Sequence, residues 1–425
     1  MTNEAARPST IDPTRRLGLF EAYGVEIELM LVDAGTLDVK PVCDELLETV
    51  AGEPAADIEL GDITWSNELT LHVLELKTSR PAPSLAGLAR RFHESLRVAD
   101  PALARLGARL MPGAMHPWMD PLTETKLWPH ENTEIYRTFD RIFGCSGHGW
   151  ANLQSTHLNL PFANDEEFGR LHAAIRIVLP LIPALAASSP FQDGAAGPAL
   201  DGRLMAYRRN SARVPSVAGL VVPEPVFSRA QYERKILGRI YEDLAPLDPE
   251  GVLREEWANA RGAIARFGRG AIEIRVIDAQ ECPTADLSVV SAIVGLVRAL
   301  TDGRLAERNL AKDPPTDVLA RVLDRAVLDG ERAVVEERGL LSVLGIRKDS
   351  APLGELWARL LDAHPPNDPD REWTAALQTI LDQGPLARRM LAVAGPDPDR
   401  DDLRRVAELL CRCIAEDVPL EGDAA

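Results

Sequence analysis

Aromatic residues are scarce. Phenylalanine, tryptophan and tyrosine make up 5% of the 425-residue chain, so aliphatic side chains must supply most of the core. Cysteine is scarcer still. Cys43, Cys145, Cys282, Cys411 and Cys413 include no C-x-x-C pair, and five in a chain this long exclude a disulfide framework. Cys411 and Cys413 lie in a helical pattern, where positions two apart face different sides, and read as packing residues rather than a metal pair. Positive charge is in deficit, with 47 Lys and Arg against 65 Asp and Glu, a net charge of −18 and a pI near 5.0. An acidic surface repels phosphate backbones and argues against nucleic acid as a partner. It does not exclude a small phosphorylated substrate held by local cations or metal ions.

Long hydrophobic runs are also missing. The longest uncharged apolar stretch, Ile177 to Pro190, holds three prolines and stops short of a bilayer span. The opening "MTNEAARPSTIDPTRR" has no apolar signal-peptide core, so a reduced, cytoplasmic protein without a membrane partner is expected. The dipeptide Gly-Lys never occurs, which excludes a P-loop, and "GCSGHG" (144–149) has the wrong spacing for a G-x-G-x-x-G turn. His93-Glu94 lacks the second histidine of a zinc protease, and "GCSGH" lacks the second glycine of a hydrolase elbow. Any nucleotide must bind by another device.

What is present is alternation. In "YGVEIELMLV", Tyr23, Val25, Ile27, Leu29 and Leu31 share one parity, while Glu26 and Glu28 share the other. A two-residue period marks a strand with one buried face, yet strands usually avoid glutamate. Strands are expected over 17–32, 68–78 ("ELTLHVLELKT"), 152–162 ("NLQSTHLNLPF") and 270–283 ("GAIEIRVIDAQECP"). Leu85, Leu88, Phe92 and Leu96 recur at helical spacing, and Asp100-Pro101 is expected to open another helix. Residues 165–187 read as a largely buried helix interrupted by prolines, and Ser228 to Gln231 as a capping box. Helices follow over 287–300, 316–328, 370–383 (Asp370 as N-cap, Gly384 as stop) and 400–417. Strands without regular β-α alternation imply an α+β fold with a largely antiparallel sheet: a mixed domain over 17–310, then a helical extension over 311–425 packed on it.

Three strands carry acid. Glu75 and Lys77 lie opposite Leu74 and Leu76, and Glu273 and Arg275 lie opposite Ile272, Ile274 and Val276. Glu68 has the opposite parity to Glu75 and reaches the same site only if a bulge or bend intervenes. His157 and Asn159, two apart in "STHLNL", share a strand face and are candidates for ligand or substrate contact. If the strands adjoin, carboxylates about 7 Å apart repel by about 2 kcal/mol per pair, so they take up protons or bind cations. Hard oxygen ligands suit magnesium or manganese, which bridge phosphate oxygens. If they do not adjoin, these are exposed faces of a half-solvated sheet.

The ordered segments "YGVEIELMLVD", "ELTLHVLELKT", "THLNLPF", "ASSPFQDG" and "RGAIEIRVIDAQECP" resemble the glutamate–cysteine ligase type 2 family of carboxylate–amine ligases, from about residue 18 to 300. The resemblance implies a glutamine-synthetase-like fold, with an antiparallel sheet funnel, flanked by helices, that holds ATP and magnesium. It implies metal contacts for Glu26, Glu28, Glu68, Glu75, His157 and Glu273. Arg275 would face the phosphates with Lys77 assisting, and Asn159 would contact substrate. Arg203 would clamp a substrate carboxylate, its alternative being a surface arginine at a helix start. The implied reaction activates a carboxylate as an acyl phosphate, which an amine then attacks while water is excluded.

Glutamate and cysteine are the expected small-molecule substrates. "YRRNSARVPS" (207–216) and "ECPTADL" (281–287) depart from the family's cysteine-using forms and put the amine in question. Another amine, a peptide or carrier-bound substrate, and a noncatalytic metal–nucleotide sensor remain as alternatives, as does either a monomer or a homo-oligomer. Loops at 112–121 and 191–202 are candidate lids.

Overall fold

The computed structural model describes residues 16–305, 310–367 and 371–422. At its centre, eight strands form one sheet: β1 (Gly24–Asp33), β2 (Asp57–Leu60), β3 (Ile63–Asn67), β4 (Val73–Thr78), β5 (Ala108–Met111), β6 (Ser155–Pro161), β7 (Ala263–Arg266) and β8 (Ala271–Asp278). They run in the order β2-β3-β4-β1-β6-β8-β7, with β5 beside the far half of β1, and every pairing is antiparallel. The fold is therefore α+β, as the irregular strand spacing implied. The acid-bearing strands share this sheet: β4 lies directly beside β1, while β8 is set one strand away, across β6.

All four expected strands come out shorter: 152–162 narrows to Ser155–Pro161, and 270–283 ends at Asp278. β1 begins at Gly24 rather than residue 17, because the chain turns at Gly18 to Glu21, where the Glu21 amide meets the Gly18 carbonyl at 3.2 Å. The strand expected from Glu68 begins only at Val73, after a turn at 69–72.

Helices α1 (Cys43–Ala51), α2 (Leu88–Leu106), α3 (Thr133–Phe143), α4 (Asp165–Val178), α5 (Gly202–Asn210) and α6 (Pro283–Thr301) follow in chain order. Pro101 does not open a new helix but sits inside α2. Its buried stripe of Leu88, Phe92, Leu96, Ala99 and Leu103 continues at helical spacing across the proline, so packing outweighs one lost backbone bond. The Ser228 box is half formed. Ser228 Oγ accepts from the Gln231 amide at 3.3 Å, while Gln231 reaches the Phe227 amide at 2.9 Å instead of closing on Ser228.

Val25, Ile27, Leu29 and Leu31 of β1 join Leu74, Leu76, Leu158, Leu160, Ile272 and Ile274 in one core with residues of α2, α4 and α6. Among the described residues, α6 is long and apolar enough to cross a membrane, although Asp286 and Arg298 interrupt its apolar run; it is packed inside the molecule.

The C-terminal helices α7 (Thr316–Asp329), α8 (Leu353–Ala363), α9 (Thr374–Gln383), α10 (Leu386–Ala394) and α11 (Arg400–Glu416) complete the fold. Gly384 ends α9 with φ of 88°, while the expected cap Asp370 lies outside the described residues. On the acid face of β1, Met30 and Val32 replace glutamate and pack with Met111, Trp118, α10 and α11 in a second core. Cys411 and Cys413 are buried there as free thiols.

Candidate active site

Register places the site. Glu28 stands opposite Glu75, Glu26 lies between Lys77 and His157, and Asn159 lies between Gly24 and Glu273. Directly paired residues project to one face, so the sheet gathers Glu26, Glu28, Glu75, His157, Asn159 and Glu273. Gly24 matters for this contact: a Cβ there would come within 3.0 Å of Asn159 Cβ.

Glu68 joins them through the turn at 69–72, which cancels its parity mismatch; the electrostatic influence of Glu75 and Glu28 reaches it. β8 contains a second phase change. Its register with β6 shifts between Ile274 and Ile277, so that Glu273 pairs with Asn159 and Asp278 pairs with Ser155 on the same face. Strict alternation from Ile272, Ile274 and Val276 would instead set Asp278 on the apolar side.

Each group has a defined partner. Glu26 Oε1 accepts from Asn159 Nδ2 at 3.0 Å, and its Oε2 lies 3.2 Å from His157 Nδ1. Glu28 Oε2 accepts from the Ser155 amide at 2.7 Å and from Ser155 Oγ at 3.0 Å. Glu75 Oε2 accepts from Ser66 Oγ at 2.5 Å and Lys77 Nζ at 2.9 Å. Glu273 sits between Arg266 at 2.9 Å and Arg275 at 3.1 Å. Arg203 is no surface residue: its Nε lies 2.5 Å from Asp278 Oδ1, and its two terminal nitrogens donate to the Arg275 carbonyl at 3.3 Å.

The charges are unevenly compensated. Burial and the Glu26 charge push Glu75 up to about 7 against the opposing pull of Lys77. Burial, then Glu75 and Glu28, push Glu68 up to about 8. Burial also works against ionised Glu26, but the hydrogen bond and charge of His157 hold it well below the usual carboxylate range. Burial would lower His157; its bond to Glu26 and the charge of Glu28 instead raise it to about 9. Burial is the larger cause for both Glu68 and Glu75, and a cation brought against them would favour their ionised forms. One oxygen of Glu26, one of Glu75 and one nitrogen of His157 lie within 4.8 Å of one another. This oxygen-rich donor set fits magnesium or manganese.

A cleft of about 510 Å³ opens beside these groups, lined by Glu28, Glu68, Ser155, His157, Arg203 and Arg275 from the polar side. Glu26, Glu75, Lys77, Asn159 and Glu273 stand outside its lining. Tyr136, Phe139, Trp150, Tyr207, Trp257 and Arg269 also line it, and sequence reasoning missed them all. One signal was available: Tyr136, Phe139 and Phe143 recur at spacings of three and four, which sets three rings on one face of α3. The candidate lids are elsewhere. Residues 111–119 are buried, as their apolar content requires, and 191–196 form a small hairpin; neither segment lines the cleft.

Over residues 22–408 the chain matches glutamate–cysteine ligase family 2, which extends the likeness through the helices beyond residue 300. A protein of Archaeoglobus fulgidus, named only as uncharacterized, is 33% identical over 376 residues, covering 88% of this chain and 93% of that one. A Rubrobacter xylanophilus protein, provisionally named glutamate–cysteine ligase 2-3, is 34% identical over 182 residues, or 42% of this chain. That alignment spans 47% of the Rubrobacter protein, so the chain aligns with about half of this named relative. In solved structures, the fold is shared with a glutamate–cysteine ligase of Francisella tularensis in complex with AMP, at a TM-score of 0.59, 12% identity and coverage of 92% and 88%. It is also shared with a bifunctional glutathione synthetase of Pasteurella multocida, at a TM-score of 0.50, 12% identity, 92% of this chain and 53% of that one.

Proposed function

The chain belongs to glutamate–cysteine ligase family 2, and from that premise we propose that it is an ATP-dependent carboxylate–amine ligase acting on glutamate. Cysteine, the amine in the family's name, is the first amine to test. The observation that carries this reading is the convergence of Glu26, Glu28, Glu75 and Glu273 with His157 on one sheet face, joined by Glu68 from beside the turn at 69–72, with burial and neighbouring carboxylates raising Glu68 and Glu75. Such a face suits metal-bound triphosphate better than it suits a structural role.

Glu26, Glu75 and His157 would hold magnesium or manganese, with Glu28, Glu68 and Glu273 completing the acidic surround. The ion supplies charge neutralisation at the phosphates when bound. Arg275, whose charge the Glu273 carboxylate favours despite burial, lines the cleft and would stabilise charge on the transferred phosphoryl group. Lys77, bonded to Glu75 and Ser66, keeps that corner of the site from excess negative charge. Arg203, held by Asp278, would meet a substrate carboxylate, and Asn159 orients Glu26. The amide would form when the amine displaces phosphate from an acyl phosphate, with glutamate as the acyl donor. Residues 17–310 would form the catalytic unit and 311–425 its helical support, in the cytoplasm.

The test is magnesium-dependent ADP release from ATP and glutamate, with and without single amines, each product identified by mass. Release that requires both glutamate and an amine supports the reading. Tight magnesium–ATP binding with no release for any pair would sink it.

A further inference from the structure

In a chain with few aromatic residues, five rings gather at one place. Tyr136 and Phe139 of α3, Trp150, Tyr207 of α5 and Trp257 line the same cleft as Glu28, His157 and Arg203. All five are half-buried, whereas Trp65, Trp128, Trp357 and Trp373 lie in the core. Phe139 packs 5.2 Å from Trp150 and 5.8 Å from Trp257, both in tilted geometry, so these three rings form one continuous wall, with Tyr136 and Tyr207 on the same cleft lining.

Much of the wall's polar capacity is already used within the protein. Tyr207 donates its hydroxyl to the Ala260 carbonyl at 2.9 Å, Trp150 Nε1 donates to the Asn210 carbonyl at 3.1 Å, and the Tyr136 oxygen accepts from Asn67 at 3.1 Å. What faces the cleft is chiefly ring surface. A purine would stack on such rings but also needs its ring edge read by donors and acceptors, which the five rings themselves offer sparingly. Glutamate brings two carboxylates, which ring faces repel. The thiol of cysteine would cover little of five rings.

We propose that this wall is the amine pocket and that the amine substrate carries an aromatic ring or an apolar group of comparable size. The inference rests on the ligase reading of the site and replaces only the cysteine.

The experiment compares kcat/KM for cysteine, alanine, phenylalanine, tryptophan and phenethylamine, by ADP release with magnesium–ATP and glutamate. An aromatic amine is expected to exceed cysteine by at least about tenfold, since even one methylene is discriminated by ~10- to 200-fold in an apolar pocket. Phe139→Ala and Trp257→Ala are expected to raise the KM for that amine about tenfold, with the KM for ATP and for glutamate within about twofold of the parent. Trp257→Phe, which keeps a ring, should restore most of the loss and so separates the wall from the fold. Preference for cysteine or alanine would overturn the pocket assignment and leave the ligase standing. A raised KM for ATP in the alanine variants would assign the wall to the purine, again overturning it. No ADP release with any amine, in a protein that binds magnesium–ATP, would remove the ligase reading and this inference together.

Discussion

Arg203 and Asp278 form a buried ion pair, Nε to Oδ1, 2.5 Å apart, although 75 residues separate them in the chain. Asp278 also accepts from the Ser188 amide at 2.8 Å and from Ser189 Oγ at 2.7 Å, which leaves its carboxylate well satisfied. The pair positions the one arginine of α5 that lines the cleft beside Arg275. Removing Asp278 takes from buried Arg203 its strongest anionic partner, leaving only the weaker influence of Asp201 and Glu28. Asp278→Ala is therefore expected to lower stability by about 3–5 kcal/mol. Denaturant unfolding monitored by fluorescence checks this; an unchanged midpoint would show that the pair contributes nothing.

Glu26→Gln and Glu75→Gln each remove an anionic oxygen from the three-donor set while keeping side-chain volume. Each is expected to weaken manganese binding by more than the ~10- to 100-fold typical of a supporting residue. Calorimetry reads the affinity directly, without turnover. Binding retained within about twofold in both variants would move the ion elsewhere.

Three buried histidines set an acid limit. Burial lowers His72 to about 4, His116 to about 4 and His172 to about 3. Their folded values lie below the unfolded value of about 6.5, so the unfolded chain binds more protons as pH falls. The stability they contribute is complete above pH 6.5 and is lost as the pH drops through that window toward 4. Each adds about 1.4 kcal/mol per pH unit to the slope there. His172, stacked on Phe168 with centroids 5.3 Å apart, can be replaced by a ring that does not titrate. His172→Phe should flatten the fall in thermal midpoint between pH 6.5 and 4, and an identical slope would refute its neutral burial.

Gly24→Ala tests the close approach of β1 to β6. The new Cβ would meet Asn159 Cβ at 3.0 Å, and Asn159 is the side chain that bonds Glu26. Overpacking of this kind costs about 1–3 kcal/mol. A matching loss of manganese affinity, read on the same samples, is expected because Asn159 must shift away from Glu26. Gly24→Ala with parent stability and affinity would show that β6 yields freely.

Local repetition determined what could be read in advance. A side-chain period of two is written into the residues themselves, so Glu26 and Glu28, Glu75 and Lys77, and Glu273 and Arg275 could be assigned to shared faces before any strand had a neighbour. The five ordered segments likewise carried the family. Tertiary structure decided the rest, because adjacency depends on hydrogen bonds between distant segments. β6 brought β1 and β8 onto one sheet, and the turn at 69–72 swung Glu68 beside Glu75. The register shift in β8 turned Asp278 toward Arg203, against its own parity. The aromatic wall came from helices and loops that share no period with the sheet. Periodicity reports which way a side chain points along its own element; only the packing of those elements decides what it points at.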